Sequence, residues 1–114
     1  MSTILHITSA DRWTTAKNLG SYRSDTLATE GFIHCSSDTQ VIGSANRFFK
    51  GLHNLVILVI EIDRLKPELR YEGTDPDNLF PHIYGELNID AVRQSIDLEA
   101  TADGSFIMPK ELIS

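Results

Sequence analysis

The chain has 114 residues, 41% of them hydrophobic and 23% charged, which is ordinary composition for one globular domain spanning residues 1–114. A formal net charge of −6 disfavours a long nucleic acid as partner, because binding many phosphates relies on clustered Lys and Arg. The longest apolar run, Leu55 to Ile60, is far shorter than the roughly 20 residues that a membrane-spanning helix needs, so membrane insertion is not expected.

The single cysteine and the first residues indicate a reducing compartment. Cys35 has no partner for an internal disulfide, and it lies in an apolar stretch, as a small core residue does. The first residues, MSTILHITSADRW, contain no basic leader and no long apolar run, so no secretion signal is expected. We therefore expect a cytoplasmic protein.

The first part of the chain predicts one strand, one helix and a loop. The segment from Ile4 to Thr8 is typical of a short strand buried on both sides. Ser9 suits the N-cap of a following helix, and Gly20 suits its stop. Residues 21–31 have a mixed pattern, which predicts a loop with a helical turn.

The middle of the chain contains the strongest signals. Phe32 to Ser36 predicts a second strand. Ser37 and Gln40 have capping-box spacing, and the apolar stripe after them predicts a helix that ends at Gly51. Residues 55–62 are nearly continuous in Leu, Val and Ile, which is typical of a central strand covered on both faces.

The later segments predict further short strands. A turn around Pro67 precedes a strand near Tyr71, and a polar loop leads into a strand from Pro81 to Tyr84. Residues 95–100 alternate like a half-exposed antiparallel strand, and residues 106–108 are predicted to add another. The fold class is therefore α+β and strand-rich, with two main helices near the N-terminus.

Three histidines share one pattern: each is followed two residues later by a hydroxyl side chain. The pairs are His6 and Thr8, His34 and Ser36, and His82 and Tyr84. In a strand both members of a pair point to the same face. If the three segments are neighbours, they line one polar pocket that can hydrogen-bond a sugar, an amide or a phosphate. A single histidine is more often a partly buried ring bonded to the backbone, so the repetition is what favours a pocket.

Other residues carry weaker signals. His53 lies in a Gly-Leu-His-Asn turn and is predicted to be a surface residue. Glu72 is either a solvated loop carboxylate or an acid of the pocket. The sequence has no phosphate-binding loop, dinucleotide-binding glycine motif, H-E-x-x-H motif or nucleophile elbow, so the common nucleotide and hydrolase folds lack support.

Three sequence blocks carry a resemblance to a known family. LHIT at residues 5–8, GFIHCS at 31–36 and FPHIYGELNIDAV at 80–92 resemble small bacterial and plant proteins called domain of unknown function 952. The resemblance covers essentially the whole chain. Because that family is similar in fold to the ADP-ribosyltransferases, the resemblance implies a split, mostly antiparallel sheet that holds NAD in a cleft.

The resemblance also implies which residues contact the cofactor. His6, with Thr8 beside it, matches a first-strand histidine that bonds the nicotinamide ribose. His34, with Ser36 beside it, matches a second-strand residue that borders the nicotinamide. These four residues are the expected NAD-binding set.

The third position of the cleft is where the chain departs from those transferases. Many of them have a glutamate there, whereas PHIYG offers His82 and Tyr84. With Glu72 from the preceding segment, these residues are the expected catalytic group. The resulting hypothesis is a protein that binds NAD or a related nucleotide and transfers or hydrolyses its ADP-ribose group, by stabilising the oxocarbenium-like centre left as nicotinamide departs.

Two other interpretations stay open. A protein that keeps the cleft and lacks the acid would be a non-catalytic nucleotide sensor or interaction module. Three neutral imidazoles with one water would suit an open zinc site, although the resemblance implies no metal.

Overall fold

The structure is a computed structural model that describes residues 2–112. The strands of this part are β1 Thr3–Ser9, β2 Ser21–Tyr22, β3 Ile33–His34, β4 Leu55–Glu61, β5 Glu68–Glu72, β6 Phe80–Tyr84, β7 Leu87–Asn88 and β8 Val92–Leu98, and the α-helices are α1 Ala10–Leu19, α2 Asp25–Glu30 and α3 Val41–Phe48. The strand pairs are antiparallel, which confirms the α+β class. Among residues 2–112, no helix combines the length and apolar character required to cross a membrane.

Helix α1 begins and ends where its sequence predicts. The Ser9 Oγ accepts the backbone N–H of Arg12 at 3.0 Å, which satisfies one of the free amides of the first turn. Gly20 adopts the left-handed conformation, and its N–H donates to the Ala16 carbonyl. Trp13 and Ala16 are buried, so one face of α1 packs into the core.

Strand β4 is the centre of the larger sheet, whose order is β1-β4-β8. All of its residues are buried. Leu58 packs in an apolar cluster with residues of α1, β3 and β6, whereas Ile57 packs in a second cluster with residues of α3 and β8. The predicted central strand is confirmed, because a run of Leu, Val and Ile without alternation needs cover on both faces.

A second sheet, of order β3-β6-β5, has one buried face and one open face. Ile33 and Ile83 are paired and fully buried, and they belong to the same cluster as Leu58. The neighbouring pair, His34 and His82, points to the opposite face because side chains alternate along a strand. The open face is therefore polar and aromatic.

One backbone bridge joins the two sheets. The Leu5 N–H donates to the Ser36 carbonyl at 2.8 Å, and the Ser36 N–H donates to the Leu5 carbonyl at 2.7 Å. Ser36 lies two residues beyond β3, and within residues 2–112 β1 exchanges no other backbone hydrogen bond with β3 or this extension, so the combined sheet is split beside this pair.

Several element ends differ from the sequence predictions. Residues 21–31 form β2 and α2 rather than a loop with a turn, and α3 ends at Phe48 rather than Gly51. The second strand is shorter than predicted, β8 begins earlier, and the segment 106–108 adds only an isolated bridge from Phe106 to Ala100. These differences concern two-residue strands and frayed ends, which depend on tertiary contacts rather than local pattern.

Candidate functional site

A cleft of about 730 Å³ opens where the two sheets separate. Its volume is in the range of small-molecule sites. Of the residues predicted for the pocket, the cleft is lined by His6, Thr8, His34, Ser36, Glu72 and His82. Tyr84 is not a lining residue, which corrects its predicted place in the pocket. Its hydroxyl bonds Glu72, and its ring stacks on Phe32 with the centroids 5.4 Å apart.

The His6 ring lies in the split and is held at both nitrogens. Nδ1 lies 2.6 Å from the His34 carbonyl oxygen, and because a carbonyl only accepts, Nδ1 carries a proton. Nε2 lies 2.7 Å from the Tyr22 hydroxyl, and that hydroxyl oxygen lies 2.9 Å from Thr8 Oγ1. Burial lowers the pKa of His6 to about 4, so the ring is neutral at pH 7 and Nε2 is an acceptor. His6 therefore orients the Tyr22 and Thr8 hydroxyls.

The three histidines line one cleft, but they do not share one face of the sheet. Leu5 and Ser36 are directly paired, so their side chains lie on the same face, and Ser36 bonds Ser44 of α3. His34 shares the face of Ser36. His6, adjacent to Leu5, belongs to the opposite face and reaches the cleft through the gap between β1 and β3.

His34 and His82 form an aromatic group on the open face of the second sheet. Their ring centroids are 5.2 Å apart, at an edge-on angle of 76°. The Phe32 ring contacts both, with centroid distances of 4.7 Å to His34 and 4.1 Å to His82. His34 is half exposed, and its Nε2 lies 3.2 Å from Glu30 Oε2. The pair places two imidazoles against one wall of the cleft.

Glu72 is an acid of the cleft, which decides between the two interpretations of its sequence context. Its Oε1 accepts hydrogen bonds from the Tyr84 hydroxyl and from His82 Nδ1 at 2.8 Å. These bonds, that of Tyr84 first, lower the pKa of the Glu72 carboxyl, so it is ionised at neutral pH. Its Oε2 has no hydrogen bond within residues 2–112 and is available to a ligand.

Two of the structurally important residues were not singled out from the sequence. Tyr22 lies in the segment of mixed pattern, and no sequence signal connects it with His6. Phe32 had a usable signal, because Phe-x-His occurs twice in the second sheet: Phe32, directly before β3, precedes His34, and Phe80 precedes His82. A strand places both members of each pair on one face.

The structure does not support the zinc interpretation or a role for His53 in the cleft. No group of three or more His, Cys, Asp or Glu side chains in the described part of the chain is placed to hold a metal ion. Both nitrogens of His6 are already engaged. His53 is exposed and lines a separate cavity of about 400 Å³ with Asp97 and Glu99.

Comparison with solved structures finds three structures of one protein, and each matches more than nine-tenths of this chain. The crystal structure of protein CC0527 from Caulobacter crescentus has a TM-score of 0.90 and 32% sequence identity, over 99% of this chain and 100% of that chain. A crystal structure of its double mutant has a TM-score of 0.89 at 32% identity and the same coverage. Its solution NMR structure has a TM-score of 0.78 and 35% identity, over 92% of this chain and 91% of that chain.

Neither these structures nor the family description gives an activity. A comparison with curated proteins finds no match. The sequence profile of the family described as protein of unknown function (DUF952) matches residues 7–95, and the chain belongs to that family.

Proposed function

We propose that the cleft binds NAD or a related nucleotide, and that the protein transfers or hydrolyses its ADP-ribose group. The supporting observation is the Glu72 carboxylate, held ionised at the wall of the cleft with one oxygen available. A fixed negative charge there would favour the positive, oxocarbenium-like ribose that forms as nicotinamide leaves. The available oxygen also suits a bond to a ribose hydroxyl, which is the role of the third-position glutamate in the transferases that the resemblance implies.

The other lining residues supply the recognition groups. In this proposal the Thr8 and Tyr22 hydroxyls, oriented by His6, bond the nicotinamide ribose. His34 borders the nicotinamide ring, with Ser36 beside it. His6 is then a positioning residue, because its own nitrogens are bonded within the protein.

The proposed reaction balances without a further cofactor. The bond between ribose C1′ and the nicotinamide nitrogen breaks, and its electron pair leaves with nicotinamide, which becomes neutral. Glu72 stabilises the positive charge shared by C1′ and the ring oxygen. A water or an acceptor hydroxyl then bonds C1′ and loses a proton to solvent or to His82 Nε2, which yields ADP-ribose or an ADP-ribosylated acceptor.

A nucleotide sensor without catalysis is the second candidate. It is favoured by one observation, that PHIYG offers His82 and Tyr84 at the third position, where many of those transferases have a glutamate. Nicotinamide release distinguishes the two candidates, because a sensor binds the nucleotide without cleaving it.

Thermal unfolding in the presence of NAD, ADP-ribose and nicotinamide tests the proposal, together with an assay for released nicotinamide. A ligand at a concentration of about 100 Kd stabilises the folded state by roughly 2.7 kcal/mol, which raises the Tm. His34→Ala should reduce the shift, and His53→Ala, outside the cleft, should not. A shift without nicotinamide release supports the sensor. No shift with any of the three ligands contradicts a nucleotide cleft.

A further inference from the structure

We infer that the end of the cleft beside α3 is a subsite for the base and phosphate of an adenylate group. It consists of Arg47, Phe48 and Leu52, called here the α3 shelf, and all three line the cleft. The inference rests on the proposed function, because it assigns the other half of the same dinucleotide to cleft residues other than Glu72 and the histidines.

The apolar residues of the α3 shelf, Phe48 and Leu52, are exposed, although large apolar side chains are usually buried. Phe48 is 67% exposed and Leu52 is 51% exposed, although both lie in the cleft wall. The next residue, Phe49, packs against the second core cluster and anchors the end of the helix. An exposed aromatic ring on a fixed support suits a flat base, since bases stack on aromatic side chains.

The charged part of the α3 shelf is an arginine without a carboxylate partner. The chain has six arginines, and five of them have a carboxylate oxygen 3.9 Å away or closer, namely Arg12, Arg23, Arg64, Arg70 and Arg93. Within residues 2–112, Arg47 has none. Its guanidinium lies over the Phe48 ring, 5.2 Å from the centroid. A cation without a carboxylate partner in the cleft of an acidic protein favours a phosphate there.

Two sets of lining residues therefore select a ligand with two different halves. The histidines, the hydroxyls and Glu72 suit a ribose and an amide. The α3 shelf offers an aromatic face with a cation beside it, which suits a base and its phosphate. A dinucleotide satisfies both sets of residues, whereas nicotinamide mononucleotide or ADP satisfies only one.

Calorimetric titration of the whole chain with NAD, nicotinamide mononucleotide and ADP tests the inference. Phe48→Ala should weaken binding of NAD and ADP by roughly five- to a hundredfold, the range expected for loss of one base-stacking contact. It should leave nicotinamide mononucleotide unchanged, and Phe48→Tyr should preserve binding. Ile107→Ala is the matched control, because Ile107 is also 67% exposed and does not line the cleft. Arg47→Gln should weaken ADP binding, whereas Arg23→Gln, outside the cleft, should not.

The outcomes separate this inference from the proposed function. If ADP binds through Phe48 while the nicotinamide ligands do not bind, the adenylate subsite at the α3 shelf is supported and the proposed function is contradicted. If nicotinamide mononucleotide binds as tightly as NAD, or if Phe48→Ala weakens NAD no more than Ile107→Ala does, the shelf is wrong and the proposed function stands.

Discussion

Leu5 and Ser36 exchange two backbone hydrogen bonds, and the next hydrogen bond between the two segments comes from the His6 side chain. An antiparallel ladder that continued in this register would pair Ile7 with His34 through their backbones. Instead, the His6 imidazole donates to the His34 carbonyl at 2.6 Å. The ring satisfies the carbonyl without bringing the strands together, and the gap that results is the cleft.

The buried His6 ring predicts a loss of stability at mildly acidic pH. Its folded-state pKa of about 4 lies below its ordinary value of 6.5, so the unfolded state binds the proton more readily. The contribution of the neutral His6 ring to the free energy of unfolding is fully present above pH 6.5. It is lost as the pH falls towards 4, by on the order of 3 kcal/mol. Urea unfolding of the wild type and of His6→Gln across this window measures it. Equal losses in both proteins would show that another group titrates.

Tyr84 is predicted to set the pH range in which Glu72 works. Its hydrogen bond is the largest cause of the lowered pKa of the Glu72 carboxyl. Tyr84→Phe should raise that pKa and move the acid limb of nicotinamide release to higher pH, because the carboxylate must be ionised to stabilise the ribose cation. Tyr71 lies on β5 next to Glu72 and is exposed, so Tyr71→Phe should leave the profile in place. An unchanged acid limb in Tyr84→Phe would show that Tyr84 does not set the pH range in which Glu72 acts.

Two glycines are predicted to respond oppositely to alanine. Gly43 lies in α3, and an added Cβ meets nothing within 4 Å, so Gly43→Ala should stabilise the protein by about 0.5–1 kcal/mol. Gly85 has a φ of 150°, and its added Cβ would lie 2.9 Å from the Pro67 ring. Gly85→Ala should therefore destabilise by more than about 1 kcal/mol. Urea midpoints of the two variants check both signs, and a neutral Gly85→Ala would mean that the turn adjusts freely.

Cys35 is predicted to be unreactive in the folded protein. It is 4% exposed, and burial raises the pKa of its thiol well above the ordinary value. Thiolate is the reactive form, so labelling by a disulfide reagent should require unfolding and accelerate with urea in parallel with the unfolding transition. Rapid stoichiometric labelling of the native protein would refute this.

Local pattern by itself determined the main elements of this protein. The Ser9 cap and the Gly20 stop bound α1, and the run of Leu, Val and Ile in residues 55–61 makes β4 the central strand. Both signals lie within single segments, where capping chemistry and the side-chain period decide the outcome. The His-x-hydroxyl repeat predicted one shared pocket; the three histidines do line one cleft, although His6 comes from the opposite face and Tyr84 does not line it.

Only the tertiary structure decided how the cleft residues meet. The register of β5 on β6 pairs Glu72 with Phe80, which makes His82 its diagonal neighbour on the same face. Tyr22 comes from another strand to bond His6. Which residue stands opposite another across a sheet is set by strand register and by the packing of both faces, and these depend on the whole chain rather than on any one segment.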